Sequence, residues 1–278
     1  MILKSYSKIN LSLIINKKLN SGLHDIQTYF CLISLFDKIQ IDKINKKKDS
    51  INFKGKFAKD VKNSDNSVKD LLILLRRHNL ISNFYKVTIY KNIPVYSGLG
   101  GGTSNAMFIF NHLTKLKLRN KIFKKIEKKI GSDFKLFLYN QGFLKNLKTI
   151  IDIKKKYKLF FLLVYPNIKC STKKIYSKVQ RYSKKLKFSR NVLKNKKNFL
   201  SFISKSENDL QSIVEKKYPI IEKILKQIAI QKGCIFSRIS GSGSVCYGLF
   251  SSDKSAKVAL KNIKKEYPKF FLTVAKTI

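Results

Sequence analysis

The sequence predicts an α+β fold with two lobes, because short segments of strand periodicity are interspersed with segments of helical periodicity. No repeat period or low-complexity tail interrupts this mixture over the 278 residues. Two loops of small residues, at 97–104 and 240–244, separate predicted elements. A chain of this length that is 44% hydrophobic can form one large or two ordinary domains with their own cores.

The first predicted strand lies near the N-terminus. Alternate residues from 9 to 13 are apolar, and Lys8 and Asn10 are neighbours on the opposite, polar face. Spacing alone favours ordinary solvent-facing residues for this pair. The turn at 21–28 contains His24, and a single histidine after a turn is more often a structural hydrogen-bonding residue than a ligand or a base.

A glycine-rich loop, residues 94–106, connects a predicted strand to a predicted helix. Alternating apolar residues over 87–93 indicate the strand, which Pro94 would end. Four glycines within five residues let the backbone approach a ligand closely, and the first turn of a helix offers unpaired N–H groups to an anion. The loop therefore predicts a phosphate cradle, with a nucleoside triphosphate as the natural ligand. The apolar face that predicts the helix consists of Ala106, Ile109, Phe110, Leu113 and Leu116.

Neither of the two common phosphate loops matches this segment. Gly102 stands where the Walker A pattern requires lysine, and Thr103 stands where the dinucleotide fingerprint requires its third glycine. A flexible glycine linker is the alternative, but linkers are not flanked by an apolar strand and an amphipathic helix.

The middle of the chain contains a second predicted helix and a predicted domain boundary. An apolar face over 122–130 predicts the helix, and Asp133 follows it, where helix capping is the simplest role for a carboxylate. The lysine-rich run at 154–158 predicts a division into an N-terminal domain, 1–155, and a C-terminal domain, 156–278. A solvated lead-in to the next strand would have the same composition.

The second half is predicted to contain a helix and a strand pair. Helical spacing over 213–228 follows the segment Asn208-Asp209-Leu210. Strand-like pieces at 234–239 and 245–250 flank the small-residue loop at 240–244.

The formal net charge is +43, with 59 Lys and Arg residues against 16 Asp and Glu. Such a balance usually prompts a nucleic-acid hypothesis, because cationic side chains neutralise phosphates and release counterions. The lysines occur in pairs and triplets throughout the chain, and no basic stripe is interleaved with aromatic residues. Compositional drift is therefore the favoured explanation, and we expect no specific nucleic-acid partner.

Cysteine spacing and hydropathy indicate the compartment. The chain contains no run of 18 apolar residues and does not begin with a basic, apolar and small-residue leader, so we expect a cytoplasmic protein without a membrane partner. Four cysteines far apart, with no CxxC pair, argue against zinc and against disulfides. Reduced, buried thiols are expected at Cys31, Cys170, Cys234 and Cys246.

Taken in order, the motifs resemble those of the galactokinase, homoserine kinase, mevalonate kinase and phosphomevalonate kinase superfamily. Ser7-Lys8-Ile9-Asn10 is similar to its N-terminal strand motif, residues 94–106 to its ATP loop, and residues 240–244 to its third motif. The full set also resembles the 4-diphosphocytidyl-2-C-methyl-D-erythritol kinase family of the non-mevalonate isoprenoid pathway. The further matches, which span essentially the whole chain, are Gly22, His24, Asp65, Asn66, Gly131, Ser132, Asp133, Asn208, Asp209 and Leu210.

The resemblance implies a two-lobed small-molecule kinase fold with the active site in the cleft between the lobes. Asp133 would accept or orient the proton of the substrate hydroxyl, and Lys8 would keep Asp133 ionised and offset charge on the transferred phosphoryl group. Asn10, His24 and Tyr176 would bind the substrate, with His24 at the cytosine edge and Tyr176 stacked on the base. The ATP site would comprise Asn66, Lys91, Pro94, Val95, Tyr96, Ser97, Gly98, Leu99, Gly100, Gly101, Gly102, Thr103 and Ser104.

The implied activity is ATP-dependent phosphorylation of the 2-hydroxyl of 4-diphosphocytidyl-2-C-methyl-D-erythritol, a cytidine-diphosphate alcohol. Mg²⁺ would be bound mainly through the ATP phosphates, with no metal ligand assigned to the protein, and the enzyme would be a monomer or a weak homodimer. Two alternatives are another small-molecule kinase of the superfamily, of the homoserine or mevalonate type, and a drifted basic nucleic-acid-binding relic.

The chain also departs from the family pattern. Leu23 replaces a tyrosine, which removes one stacking face for cytosine, and Lys135 replaces a proline beside Asp133. Tyr96 and Ser97 replace smaller residues at the entrance of the ATP loop. These changes predict a drifted enzyme that retains the catalytic pair and the cradle.

Overall fold

A computed structural model describes residues 2–62, 66–115, 121–154, 156–186 and 188–278. Contacts divide the chain into two compact units, which are interleaved along the sequence. Unit 1 comprises Met1–Lys8, Leu35–Val95 and Gly100–Leu138, and unit 2 comprises Ile9–Ser34, Tyr96–Leu99 and Tyr139–Ile278.

Strands and helices alternate along the described chain, which confirms the α+β prediction. The strands are β1 (Ile2–Asn10), β2 (Ile14–Lys18), β3 (His24–Ile44), β4 (Ser50–Lys54), β5 (Phe84–Tyr90), β6 (Gln141–Asn146), β7 (Thr149–Asp152), β8 (Phe160–Tyr165), β9 (Cys234–Ile239), β10 (Cys246–Phe250) and β11 (Phe271–Lys276). The helices are α1 (Ser67–Arg77), α2 (Gly101–Thr114), α3 (Lys121–Ile130), α4 (Thr172–Tyr176), α5 (Lys196–Lys205), α6 (Gln211–Lys217), α7 (Pro219–Ala229) and α8 (Asp253–Glu266). Short 3-10 helices lie at Ala58–Asp60, Phe134–Leu138 and Arg190–Leu193.

Unit 1 places three helices beside a group of paired strands. The second half of β3 pairs antiparallel with β5, with Ile39 opposite Ile89, and β4 pairs parallel with β5. Helix α1 packs against α2 and α3. Leu71, Leu75 and Phe110 are fully buried and form part of the core between these helices.

Unit 2 contains the first half of β3, which pairs with β2 and β6, and a separate antiparallel sheet of order β11-β8-β10-β9. In this second sheet Val164 lies opposite Cys246 on one side and opposite Leu272 on the other. Helices α7 and α8 cover the sheet, and buried residues such as Ile221 and Ile263 fill the layer between them.

Several predicted boundaries move for identifiable reasons. The strand predicted over 87–93 ends at Tyr90. The next residue, Lys91, turns inward and forms the buried ion pair with Asp37 that is described below. The helix predicted over 213–228 is two helices, since Pro219 occupies the first turn of α7 and breaks the run after Tyr218. The helix at 101–114 follows the prediction, although Leu116 lies outside the described residues.

The lysine run at 154–158 connects β7 to β8, and both strands belong to unit 2. Lys155 itself lies outside the described residues. The run is therefore a solvated lead-in to a strand within one compact unit. The division into 1–155 and 156–278 is a different partition from the contact-based units and stays a prediction.

Among the described residues, no helix is both long and apolar enough to cross a membrane.

Candidate active site

Lys8 and Asp133 form an ion pair in unit 1. The distance from Lys8 Nζ to Asp133 Oδ2 is 3.2 Å, and the two side chains are 4% and 32% exposed. Lys8 lies near the end of β1, and Asp133 follows a turn in which Gly131 has a φ of 139°. The ammonium group is thus enclosed while the carboxylate remains accessible to a ligand. The solvent-facing interpretation of Lys8 is wrong, because the residue is buried.

The geometry of this pair suits proton transfer. An accessible carboxylate that is held by an ammonium group at hydrogen-bond distance can accept a proton from a hydroxyl group. The same cation can stabilise negative charge that develops beside it.

The glycine-rich loop ends next to this pair. Gly100 precedes α2 in the left-handed region, with φ 71° and ψ 22°, and it has no side chain with which to cap the helix. A Cβ atom on Gly100 would lie 2.9 Å from Phe137 Cζ and 3.3 Å from Lys8 Cε. Only glycine fits here, and its backbone lies beside the aliphatic stem of Lys8.

The first turn of α2 offers unpaired amide groups. Ser104 N donates to Gly100 O and is the first intrahelical donor, so the N–H groups of residues 101–103 have no acceptor within the helix. Gly102 is exposed and Thr103 is half-buried, whereas Gly101 is buried. A Cβ on Gly101 would meet Ile93 Cγ2 at 2.9 Å, but one on Gly102 would meet only Ser67 Oγ at 3.6 Å. The open side of this turn is therefore at Gly102 and Thr103.

Lys91 and Ser104, both included in the predicted ATP site, bond to groups inside the protein, and their contact with ATP stays a prediction. The Lys91 ammonium is 3% exposed, forms an ion pair with Asp37 and donates to Asn105 Oδ1 at 3.1 Å. The Ser104 hydroxyl is fully buried and bonds to Ser5 Oγ at 2.7 Å. Both groups are used inside the protein, beneath the start of α2.

Asp37 is the centre of this buried network and was not found from the sequence. Its carboxylate accepts from Lys91, from Asn105 Nδ2 at 3.0 Å, and from the backbone N–H groups of Asn92 at 2.7 Å and Ile93 at 2.9 Å. Asn105 also donates to Ser5. The network ties β3 and the end of β5 to the first turn of α2. The available signal is a single acidic residue in the mostly apolar stretch 32–39.

Asn66 is the N-cap of α1, where its side chain accepts a hydrogen bond from Lys69 N at 3.0 Å. The neighbouring Ser67 Oγ is the group 3.6 Å from the position of a Gly102 Cβ. The start of α1 is therefore close to the open side of α2. Asp65, which precedes it, lies outside the described residues.

The preceding part of the loop, residues 96–99, belongs to unit 2, where the loop at 240–244 supports it. Ser240 Oγ donates to Gly98 O at 3.0 Å, and Val245 N donates to Ser97 O at 3.1 Å. A Cβ on Gly98 would collide with Ser240 O. Tyr96 is exposed, with a φ of 55°. Of the other residues of this loop that were predicted for the ATP site, Pro94 and Leu99 are buried and Val95 is half-buried.

Asn208 and Asn10, which match the family motifs, form hydrogen bonds that hold the loop at 240–244 in place. Asn208 Nδ2 donates to Ile239 O at 3.0 Å and to Gly241 O at 2.9 Å. Asn10 is also buried, contrary to the solvent-facing interpretation, with its backbone N–H bonded to Ser240 Oγ at 3.3 Å. The Asn10 side chain donates to Thr28 Oγ1 at 3.0 Å. Its contact with substrate stays a prediction.

His24 lies in an aromatic group in unit 2. Its ring centroid is 5.2 Å from that of Tyr176 and 6.4 Å from that of Tyr182. Burial and, secondarily, the charge of Lys18 lower the pKa of His24 below its ordinary value of 6.5. The imidazole is therefore neutral at pH 7 and carries one hydrogen-bond donor and one acceptor. Tyr182 was not found from the sequence, because no spacing pattern connects it to His24.

The cysteines are free, and Cys31, Cys170 and Cys246 are buried as expected, while Cys234 is partly exposed. Burial raises the pKa of both Cys170 and Cys234 to about 11, so these thiols are protonated at neutral pH. Within the described ranges, no group of three or more His, Cys, Asp or Glu residues is placed to hold a metal ion.

Comparison with known proteins identifies the family of this chain. A family model described as "GHMP kinases C terminal" matches residues 191–269. The chain is 35% identical over 286 residues to the 4-diphosphocytidyl-2-C-methyl-D-erythritol kinase of Pelagibacter ubique, covering 99% of this chain and 98% of that protein. The chain belongs to the 4-diphosphocytidyl-2-C-methyl-D-erythritol kinase family. The family and the ATP-dependent kinase class predicted from the motifs are confirmed.

Two further comparisons agree with this membership. The Wolbachia pipientis member of the 4-diphosphocytidyl-2-C-methyl-D-erythritol kinase family is 31% identical, with 97% of this chain and 96% of that protein covered. A crystal structure of 4-(cytidine 5'-diphospho)-2C-methyl-D-erythritol kinase has the same fold, with a TM-score of 0.76, 18% identity and 99% of both chains covered.

The departures from the 4-diphosphocytidyl-2-C-methyl-D-erythritol kinase family pattern are accommodated locally. Lys135, beside Asp133, pairs with Glu127 of α3 at 2.8 Å, and both side chains are largely buried. Ser97 is buried beneath the loop, whereas Leu23 is 52% exposed. The charge of Lys135 is therefore balanced by Glu127, and Leu23 presents an aliphatic surface next to His24.

Proposed function

We propose that the protein transfers the γ-phosphoryl group of ATP to the 2-hydroxyl of 4-diphosphocytidyl-2-C-methyl-D-erythritol, giving ADP and the 2-phosphate. The observation that carries the proposal is the Lys8–Asp133 pair beside Gly100, where an acid–base group and a phosphate cradle adjoin within unit 1. The substrate is supported by the name of relatives that match this chain over nearly its full length.

Asp133 accepts the proton of the substrate hydroxyl as its oxygen attacks the γ-phosphorus. The bond between the γ-phosphorus and the β,γ-bridging oxygen breaks, and ADP leaves with that oxygen. Lys8 holds the Asp133 carboxylate in position before the transfer and stabilises the negative charge on the phosphoryl oxygens during it. Positioning and charge stabilisation are the main protein contributions to a reaction of this kind.

The ATP phosphates bind at the first turn of α2. The N–H groups at 101–103 and the positive end of the helix dipole face the open side at Gly102, and the Thr103 hydroxyl is available beside them. Mg²⁺ would offset phosphate charge and would be held mainly through the phosphates. No protein ligand is assigned to it.

The cytosine base binds at His24 and Tyr176. A neutral imidazole can donate to one atom of the base edge and accept from another, and the Tyr176 ring provides a face for stacking. This aromatic group favours a flat, hydrogen-bonding ligand over homoserine or mevalonate, which have no ring. A cytoplasmic location and a monomeric or weakly dimeric state remain predictions.

The test is ADP release measured with the purified protein, ATP and Mg²⁺ against a panel of 4-diphosphocytidyl-2-C-methyl-D-erythritol, homoserine and mevalonate. We expect release that depends on the first compound alone. Release with homoserine or mevalonate instead would support the alternative kinase type. No substrate-dependent release from protein with a cooperative unfolding transition would contradict the proposal.

A further inference from the structure

The segment after Tyr176 brings a second tyrosine to His24. The Tyr182 ring is 46% exposed, and its centroid lies 6.4 Å from that of His24 with the two planes inclined by 34°. The nearer ring, Tyr176, is inclined by 40°. Leu23, the residue before His24, is also exposed but is aliphatic, so it has no π-face to offer. The accessible aromatic surface beside His24 therefore includes Tyr182.

Tyr182 is held near His24 by hydrogen bonds on its C-terminal side. Ser183 N donates to Ile15 O at 2.9 Å, and Asn16 Nδ2 donates to Ser183 O at 3.3 Å. Ile15 and Asn16 both lie on β2, which forms a hairpin with β3 in which Lys18 pairs with His24. The position of Tyr182 is thus fixed through the residue that follows it.

A second attachment holds the same segment four residues further along. The side chain of Gln27 on β3 is buried, accepts from Leu186 N at 2.7 Å and donates to Leu186 O at 3.2 Å. Two attachments to adjacent strands leave the Tyr182 ring exposed while restricting its backbone. An exposed ring on a restrained backbone is pre-organised for contact with a ligand, because less conformational entropy is lost on binding.

We infer that Tyr182 is a specificity-determining residue that stacks on the cytosine of the substrate, together with His24 and Tyr176. The inference rests on the proposed function and adds a residue to its base site. His24 forms hydrogen bonds with the edge of the cytosine base, and the Tyr182 ring beside it contacts the flat face of the base. Base stacking on an aromatic side chain is strong enough to change affinity by about tenfold or more.

The experiment compares variants of Tyr182 by titration calorimetry with cytidine 5'-diphosphate. Tyr182→Phe keeps the ring, whereas Tyr182→Leu keeps apolar bulk without a π-face. We expect the phenylalanine variant to bind like the wild type and the leucine variant to bind about tenfold more weakly. The KM for the full substrate should rise in the same ratio, with the KM for ATP and the kcat unchanged.

The matched control is Ile230→Ala, which removes another exposed side chain of unit 2, 74% exposed, at the end of α7. It should leave binding unchanged, and all variants should unfold like the wild type because both positions are exposed. Wild-type affinity in Tyr182→Leu would overturn the inference, as would equal weakening in the phenylalanine variant, which would assign the effect to the hydroxyl. Failure of the wild type to bind cytidine 5'-diphosphate would overturn it too, while ADP release judges the proposed function separately.

Discussion

Asp133 is the residue on which the proposed chemistry depends most directly. Asp133→Asn keeps the shape of the side chain and removes its charge, so it can no longer accept the substrate proton. We expect kcat to fall by about 10²–10⁴-fold with little change in ATP affinity, as for a group that acts mainly in the transition state. Steady-state kinetics and calorimetry with ATP measure the two effects. A variant with near-normal kcat would return Asp133 to a structural role.

Asp37 acts through the network under α2 rather than on a ligand. It is fully buried and accepts from Lys91, Asn105 and two backbone N–H groups, so Asp37→Asn leaves the Lys91 charge poorly compensated. Breaking a buried pair in this way lowers the free energy of unfolding by about 3–5 kcal/mol. Urea denaturation should show this loss.

The control for Asp37 is Asp152→Asn, which breaks a pair with Lys156 whose side chains are 41% and 36% exposed. An exposed i, i+4 pair is worth less than about 1 kcal/mol, so this variant should unfold nearly like the wild type. Equal effects of the two substitutions would mean that the buried network does not stabilise the fold.

Single residues also mark where sequence patterns stop being informative. The glycine-rich loop could be recognised from its own spacing. Spacing alone favoured a solvent-facing role for Lys8 and a capping role for Asp133, and only the resemblance of the ordered motifs assigned these two residues to a site. Lys91 and Tyr182 could not be placed in this way. The partner of Lys91 is 54 residues away, and Tyr182 approaches His24 through a segment without regular structure. Contacts of that kind depend on tertiary packing, which local periodicity in the sequence does not predict.

At the scale of elements, local chemistry decided which predicted boundaries were correct. Helix α2 begins where Gly100 ends the loop, and α3 covers the predicted apolar face, since both boundaries follow from the backbone freedom of glycine or from helical spacing. The segment predicted as one helix over 213–228 is two helices in the structure. The apolar face continues in register across the break, so the periodicity did not reveal it, and Pro219 is the residue in the sequence that indicates it.

The first turn of α2 should show two different responses to added side chains. Gly102 is exposed, so the side chain in Gly102→Val would enter the space proposed for the phosphates. We expect ATP affinity to fall at least tenfold with little loss of stability, as measured by calorimetry and thermal unfolding. Unchanged ATP affinity would mean that this turn is not the phosphate site.

Gly101→Val is the matched comparison, because the same side chain one residue earlier points into the protein. Its Cβ would lie 2.9 Å from Ile93 Cγ2, and overpacking of this kind costs about 1–3 kcal/mol. We expect lower stability here, together with weaker ATP binding caused by displacement of α2. Equal stability of the two variants would contradict the orientation of this turn.

At the scale of the whole molecule, the formal net charge is +43, and nearly all of the described cationic side chains are at least partly exposed. Among the described residues the buried cationic side chains are Lys8, Lys91 and Arg238, and the first two are paired with Asp133 and Asp37. The remaining cationic residues of the described ranges are spread over both units. Drift across a solvated surface would produce this distribution, whereas a nucleic-acid site would need a localised basic face.

If the net charge results from compositional drift, binding to RNA or DNA should be weak, independent of sequence and steeply reduced by salt. Counterion release would then supply nearly all of the affinity. Kinase activity should persist at salt concentrations that abolish this binding, since the Lys8 ammonium of the catalytic pair is buried and therefore less screened than surface lysines. A filter-binding series with several nucleic-acid sequences, from low to physiological salt, is run beside the ADP-release assay. Tight, sequence-selective binding at physiological salt would refute the drift interpretation and assign a function to the charged surface.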